Sequence, residues 1–317
     1  MLKTVIKQNK TFETLVRKID TRYRLILSSI SPELASKILY KRAFGKKLDL
    51  KNPKTFNEKL MWLKLNIYYN NSLITKCADK YKVREYIEEC GCSEILNDLI
   101  GSWDSVDEIE WNSLPNKFVL KCNHGCGYNI ICNNKEKFDI HDAKEKLRKW
   151  MKEDYWKFHA EVNYKYIEKK IICEKYIETD DGLLPNDYKV FCFNGEPKFI
   201  LAINERETGH HQRYFFDLNW NELDFEKEKN RRKNQNKPRK PNSLDQMIYY
   251  SEKISKGFPF VRVDFYDSGN KPIFGEMTFT PVGGLATYYK GEVAIMLGDW
   301  IDLPKSYKSD LEEEKNG

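Results

Sequence analysis

The chain has 317 residues, of which 40% are apolar and 14% aromatic, enough for a sizeable core and for more than one lobe. Its formal charge of +6 is too mild to imply a nucleic-acid partner, and no run approaches the roughly 20 apolar residues that cross a bilayer. The start, MLKTVIKQNKTF, has no apolar signal region, so a cytoplasmic location is expected and the eight cysteines read as free thiols.

The first fifty residues read as a basic helical extension. Ser31 followed by Pro32 marks a helix start, and Thr55 with Glu58 forms a capping box that opens the helix bearing Leu60, Met61 and Leu63. Val83, Tyr86, Ile87 and Cys90 fall on one face of a helix expected over 79–90. Lys117 to Cys122 reads as a fully buried strand, and Asn129 to Cys132 as its partner. A helix is expected from His141 to Tyr155 and a strand from Lys170 to Ile177.

The second half reads as hairpins. Asn194-Gly195 joins Tyr188–Phe193 to Pro197–Asn204, followed by a short strand at Tyr214–Leu218. Residues 227–240 carry eight basic residues and one acid, and read as a solvated loop. Ser243, with Gln246 three residues on, is expected to cap a helix that stops at Gly257. Phe260–Tyr266 and Pro272–Phe279 then pair around the turn Asp267–Asn270. The class is α+β.

Three stretches carry chemistry. KCNHGCGYN places Lys121 at a strand end, before a loop whose Gly125 and Gly127 let backbone N–H groups approach phosphates. A strand follows it, so it is neither a P-loop nor a dinucleotide fingerprint. A zinc site from Cys122, Cys126, Cys132 and His124 is disfavoured, because no C-x-x-C pair is present. In RVDFYDSGNKPIFGEMTFTP, Arg262 and Asp264 share one strand face, and Glu276 and Thr278 share the next. Pairing of those strands brings the two carboxylates together, an arrangement that suits Mg²⁺ beside phosphate oxygens. In IICEKYIETDDGLLPNDYKVF, Glu174 closes one strand and Asp187 and Lys189 open another, a setting suited to an adenosine.

These three elements, in this order, resemble the ATP-grasp superfamily. The segments NPKTFNEKLMWLKL, ADKYKVREYI, KFVLKCNHGCGYNI, EKYI, NDYKVFCFNGEP, FVRVDFY and FGEMTFTPVGG resemble its TupA-like members over about residues 35–305. The resemblance implies two α+β lobes clasping ATP, with the spans 1–50 (helical extension), 51–115 (preceding region), 116–178 (small lobe) and 179–317 (large lobe with the metal site). Lys121 would contact the α-phosphate. Gly125 and Gly127, with His124 and Asn129, would cover the outer phosphates. Glu174 and the backbone through Tyr176 and Ile177 would hold adenine, and Asp187 the ribose. Lys189 would touch a phosphate. Asp264, Glu276 and Thr278 would bind Mg²⁺, with Thr278 standing where asparagine is usual. Arg262 and Lys121 would stabilise charge on the transferred phosphoryl group.

The implied activity is an ADP-forming carboxylate–amine ligase acting through an acyl phosphate. Its substrates would be a hexuronic acid or amino acid and an amine, on a nucleotide sugar or lipid-linked glycan of a polysaccharide pathway, with peripheral contact to the assembly machinery. His210, His211, Arg213 and the run Thr280–Gly284 are candidates for the acceptor side. The rival readings are a nucleotide-sugar glycosyltransferase, against which stands the lack of a D-x-D triplet, and a non-catalytic nucleotide-binding member.

Overall fold

Short polar residues fix where the first helices begin. In the computed structural model, which describes residues 10–179, 185–204, 212–227, 237–269 and 271–304, α1 runs over Lys10–Ile30 and α2 over Pro32–Phe44. The Ser31 hydroxyl accepts from the Leu34 N–H, and α2 ends at Gly45 with φ +72°. At the start of α3 (Phe56–Asn66), Thr55 and Glu58 exchange side-chain and backbone bonds as the capping box requires. Two short helices follow, α4 (Ser72–Ala78) and α5 (Val83–Glu89).

The helix expected from residue 79 begins later, because the Asp79 carboxylate accepts from the N–H groups of Tyr81 and Lys82 and holds a turn there. The sequence reading also missed α4 and the strand β1 (Leu99–Trp103). That strand is the edge of a four-stranded antiparallel sheet, order β1-β4-β2-β3, built with β2 (Phe118–Cys122), β3 (Asn129–Cys132) and β4 (Ile171–Lys175). Strand β2 is not buried on both faces. Phe118, Leu120 and Cys122 face a core completed by Leu147 of α6 (Ile140–Lys152), whereas Val119 and Lys121 lie on the half-open face. Helix α6 stops three residues short of Tyr155, which falls on a separate helical turn.

The second sheet has six antiparallel strands, order β10-β9-β5-β6-β7-β8. They are β5 (Asp187–Phe193), β6 (Glu196–Asn204), β7 (Gln212–Phe216), β8 (Glu222–Leu223), β9 (Phe260–Asp267) and β10 (Pro272–Thr278). Asn194 and Gly195 take φ of +50° and +83°, as a two-residue turn matched to strand twist needs. Helix α7 (Leu244–Ser255) covers one face, but Ser243 makes no capping bond: its hydroxyl donates to Asp267 at 2.7 Å. Residues 210, 211, 228–236 and 270, which bear on the acceptor, basic-loop and turn readings, lie outside the described residues.

Phe56 of α3 ties the N-terminal helices to this sheet, with ring centroids 5.9 Å from Phe193, 5.1 Å from Phe260 and 5.8 Å from Tyr289. Helix α8 (Gly291–Asp299) crosses the start of α3 at Gly298, where a Cβ would stand 2.1 Å from the Lys54 carbonyl. Backbone on that side cannot yield as a side chain would. Gly298→Ala is therefore expected to cost about 3 kcal/mol, read as a lower urea midpoint with an unchanged slope.

Candidate active site

Between the two sheets lies a cavity of about 400 Å³, and both sheets contribute to its lining. From the small sheet comes the β2–β3 hairpin. Lys121 pairs with Asn129 at its last rung, and the loop beyond folds back with Cys122 N–H donating to Tyr128 O. Gly127 takes φ +76°. A Cβ on Gly125 would stand 2.7 Å from the Tyr128 ring and 2.8 Å from the Tyr155 ring, so only glycine lets the loop pack there.

From the large sheet come three strands in register. Lys189 on β5 is opposite Asp264 on β9, which is opposite Glu276 on β10. One row of the sheet thus reads cation, anion, anion. The neighbouring row places Arg262 opposite Thr278. The register slips between Phe274 and Glu276, and at Gly275 a Cβ would stand 3.1 Å from the Asp264 carbonyl. A bulge there turns Glu276 into the row.

The charges are closely interlocked. Arg262 grips Asp264 with two bonds of 2.6 Å, and its Nη2 lies 3.0 Å from Thr278 Oγ1 and 3.4 Å from Glu276. Lys189 Nζ lies between Asp187 at 2.6 Å and Asp264 at 2.5 Å. Lys80 Nζ donates to Gly125 O at 2.6 Å and pairs with Glu276 at 3.1 Å. Lys121 Nζ meets Glu174 at 2.6 Å. Burial raises the Glu276 carboxyl, but Lys80, then Arg262 and Lys189, outweigh it and hold the group well below the usual carboxylate range. For Lys121 burial pulls downward and the Glu174 charge overcomes it, so the ammonium persists.

Of the residues expected at the site, Lys121, Gly127, Asn129, Asp187, Lys189, Arg262, Asp264, Glu276 and Thr278 line the cavity. Glu174 stands behind Lys121 as its counter-ion. Asp187, expected at the ribose, is engaged by Lys189. His124 lies behind the loop with Nε2 3.1 Å from Trp150 O, and burial pushes its pKa down to about 4. Gly125 contributes its carbonyl, while Tyr176 and Ile177 follow the end of β4 outside the lining. Among the described residues no three His, Cys, Asp or Glu side chains converge as a metal cluster, and Cys122, Cys126 and Cys132 are free thiols. Arg213 pairs with Glu226 at 2.6 Å and stacks on Tyr288, away from the cavity lining.

Several lining residues escaped sequence reasoning: Lys80, Tyr155, His159, Glu161 and Tyr164. Lys80 stands in ADKYKVREYI, so its segment was marked but not its role. Thr280, Val282 and Gly283, from the run after β10, also line the cavity.

Behind this wall Lys64 of α3 is fully buried and donates to His159 O at 2.9 Å. Burial pulls its pKa to about 8 from 10.5, against the Glu161 charge. A lysine lowered on folding stays charged in the unfolded chain while the folded one releases its proton. Stability from this group therefore rises with pH above 8. Between pH 8 and 10, urea unfolding should show wild type gaining roughly 2 kcal/mol relative to Lys64→Met. An unchanged gap would mean that Lys64 keeps its ordinary pKa.

A small sheet with a lysine strand and glycine hairpin, set against a large sheet with paired acids and an arginine, defines an ATP-grasp enzyme, a ligase class that consumes ATP. The chain belongs to the TupA-like ATP-grasp family, whose model, described as TupA-like ATPgrasp, matches residues 58–302. No curated protein matches it. Solved structures similar to it include the D-alanine–D-alanine ligase of Bacillus anthracis complexed with ATP, at 16% identity, covering 76% of this chain and 67% of that one, with a TM-score of 0.40. The D-alanine–D-alanine ligase of Helicobacter pylori has 14% identity, coverage of 80% and 69%, and a TM-score of 0.41. The L-amino acid ligase of Bacillus licheniformis has 12% identity, coverage of 78% and 52%, and a TM-score of 0.41.

Proposed function

We propose that this protein is an ADP-forming ligase that activates the carboxylate of a hexuronic acid, or of an amino acid, and joins it to an amine on a unit of a cell-surface polysaccharide. The observation that carries the reading is the convergence of four cationic side chains, Lys80, Lys121, Lys189 and Arg262, with the acids Asp264 and Glu276 on one cavity. Phosphate oxygens are the natural partners of such a set.

In this reading Lys121 and Lys189 bind phosphates, and the Gly125–Gly127 loop lies over them with its backbone N–H groups. The backbone beyond Glu174 takes the adenine. Arg262 orients the substrate carboxylate and balances charge as the phosphoryl group moves to it. Closure of the loop excludes water from the acyl phosphate before the amine attacks. Asp264, Glu276 and Thr278 would hold Mg²⁺: two carboxylates and a hydroxyl form the all-oxygen donor set that this hard cation takes. When bound, the ion supplies Lewis-acid polarisation of the phosphate oxygens.

No helix among the described residues is long and apolar enough to cross a membrane. The proposed place of action is the cytoplasm, where ATP and nucleotide sugars are available. The test is incubation with Mg·ATP and UDP-glucuronate, with and without a pool of amino acids and small amines. Amine-dependent ADP release is expected, with mass spectrometry identifying the amide. AMP release, or UDP release with no nucleotide turnover, would overturn the reading.

A further inference from the structure

Part of the cavity lining differs in kind from the phosphate-facing cations. Tyr155, His159, Glu161, Tyr164 and Thr280 supply aromatic faces, an imidazole and one carboxylate. Glu161 is 3% exposed. Its Oε1 accepts from the Thr280 hydroxyl, which fixes the carboxylate in place. Its Oε2 is buried and has no hydrogen-bond partner. Lys64 is close enough for the two charges to be felt, yet it spends its ammonium on His159 O. Burial drives His159 toward its neutral form, so the imidazole brings no counter-charge.

A buried carboxylate oxygen without a partner, on a residue that lines the cavity, costs several kcal/mol unless a ligand completes it. A sugar hydroxyl would satisfy the lone pair but leave the charge. An ammonium group satisfies both. Aromatic rings favour a cation as well: the Tyr155 and Tyr164 rings stand edge to face with centroids 5.2 Å apart. The other cations of the lining are already matched to acids, Lys80 and Arg262 to Glu276 and Lys189 to Asp264. Glu161 is left for a cation that arrives with substrate.

We propose that Glu161 is the anchor of an acceptor subsite that takes the amine substrate as an alkylammonium, held by Oε2 with the Tyr155 and Tyr164 rings beside it. This deepens the ligase reading and rests on it: the carboxylate to be activated belongs by Arg262, and the amine by Glu161. The acceptor is then an amine protonated at neutral pH, and an amide or hydroxyl of the same shape is rejected.

The test uses the full chain with Mg·AMPPNP, ethylammonium as the probe and ethanol as its neutral counterpart. Binding is read by saturation-transfer NMR on the probe methyl group. Wild type is expected to bind ethylammonium in the millimolar range and ethanol at least about tenfold more weakly. Glu161→Gln should weaken ethylammonium by about tenfold or more, and Glu161→Asp, which keeps the charge, by clearly less. AMPPNP affinity within about twofold of wild type certifies that each variant is folded. Equal binding of ethylammonium and ethanol by wild type, or an unchanged affinity in Glu161→Gln, overturns the proposal without any reliance on the variants' activity. Failure of wild type to bind AMPPNP would instead count against the ligase reading, so the two failures are distinguishable.

Discussion

Alanine at position 276 is expected to lower amine-dependent ADP formation by roughly 10³-fold while leaving ATP binding in EDTA as tight as in wild type or tighter. The two halves have one cause. Glu276 lies opposite Asp264 and is the acid that Lys80 and Arg262 both reach. Without it the proposed metal site keeps a single carboxylate. The same change removes one negative charge from a cluster of cations, so a triphosphate meets less competition for Lys80 and Arg262. In the absence of nucleotide, those cations lie buried with fewer partners. The variant should therefore unfold with about 3 kcal/mol less stability than wild type, and ATP should restore most of the loss. Thermal unfolding with and without ATP and EDTA, beside the ADP assay, checks all three statements. Turnover within about tenfold of wild type would remove Glu276 from the catalytic centre.

What was legible in the sequence was local. The turn's register alone would set Glu276 opposite Val263, and the bulge at Gly275 is what brings it opposite Asp264. Strand alternation and a short turn nonetheless suffice to pair β9 with β10. The same holds for Lys121 at the end of β2, for Asn194-Gly195, and for the Thr55–Glu58 cap. The unread part depends on long-range placement. Lys80 owes its position to an Asp79 turn braced by Asn123, 44 residues on, and no periodicity marks it. Glu161 meets Thr280 across 119 residues, from a stretch of short helical turns with no repeating face. Strand β1 carries no readable alternation, because Gly101 interrupts it and its register slips between Leu99 and Gly101. The counter-ion of Lys121 belongs to the unread part as well, since Glu174 supplies it from the neighbouring strand β4, 53 residues on.

Lys80→Met is the companion substitution, and its expected effect is as large from the other side of the cavity. Lys80 bridges the two sheets through one ammonium group, donating to the Gly125 carbonyl of the loop and pairing with Glu276 of β10. Burial pulls its pKa down, but the Glu276 charge more than restores it, so the bridge is a cation at neutral pH. Methionine keeps the stem and loses both bonds. The glycine loop then loses this tether to the acid strand, and Glu276 keeps the longer contacts to Arg262 at 3.4 Å and to the Thr278 hydroxyl at 3.3 Å. ATP should bind about 30-fold or more weakly, and kcat/KM for ATP should fall roughly 10³-fold. Stability carries a separate signature. Glu276 is held low chiefly by Lys80, and a carboxylate held low on folding stabilises above its unfolded pKa of 4.5 and loses that contribution as pH falls. The gap in unfolding free energy between wild type and Lys80→Met should therefore be widest near pH 7 and narrow below pH 4.5. A gap independent of pH would show that Lys80 acts through the loop carbonyl alone, and unaltered ATP binding would show that the bridge does not set the loop at all.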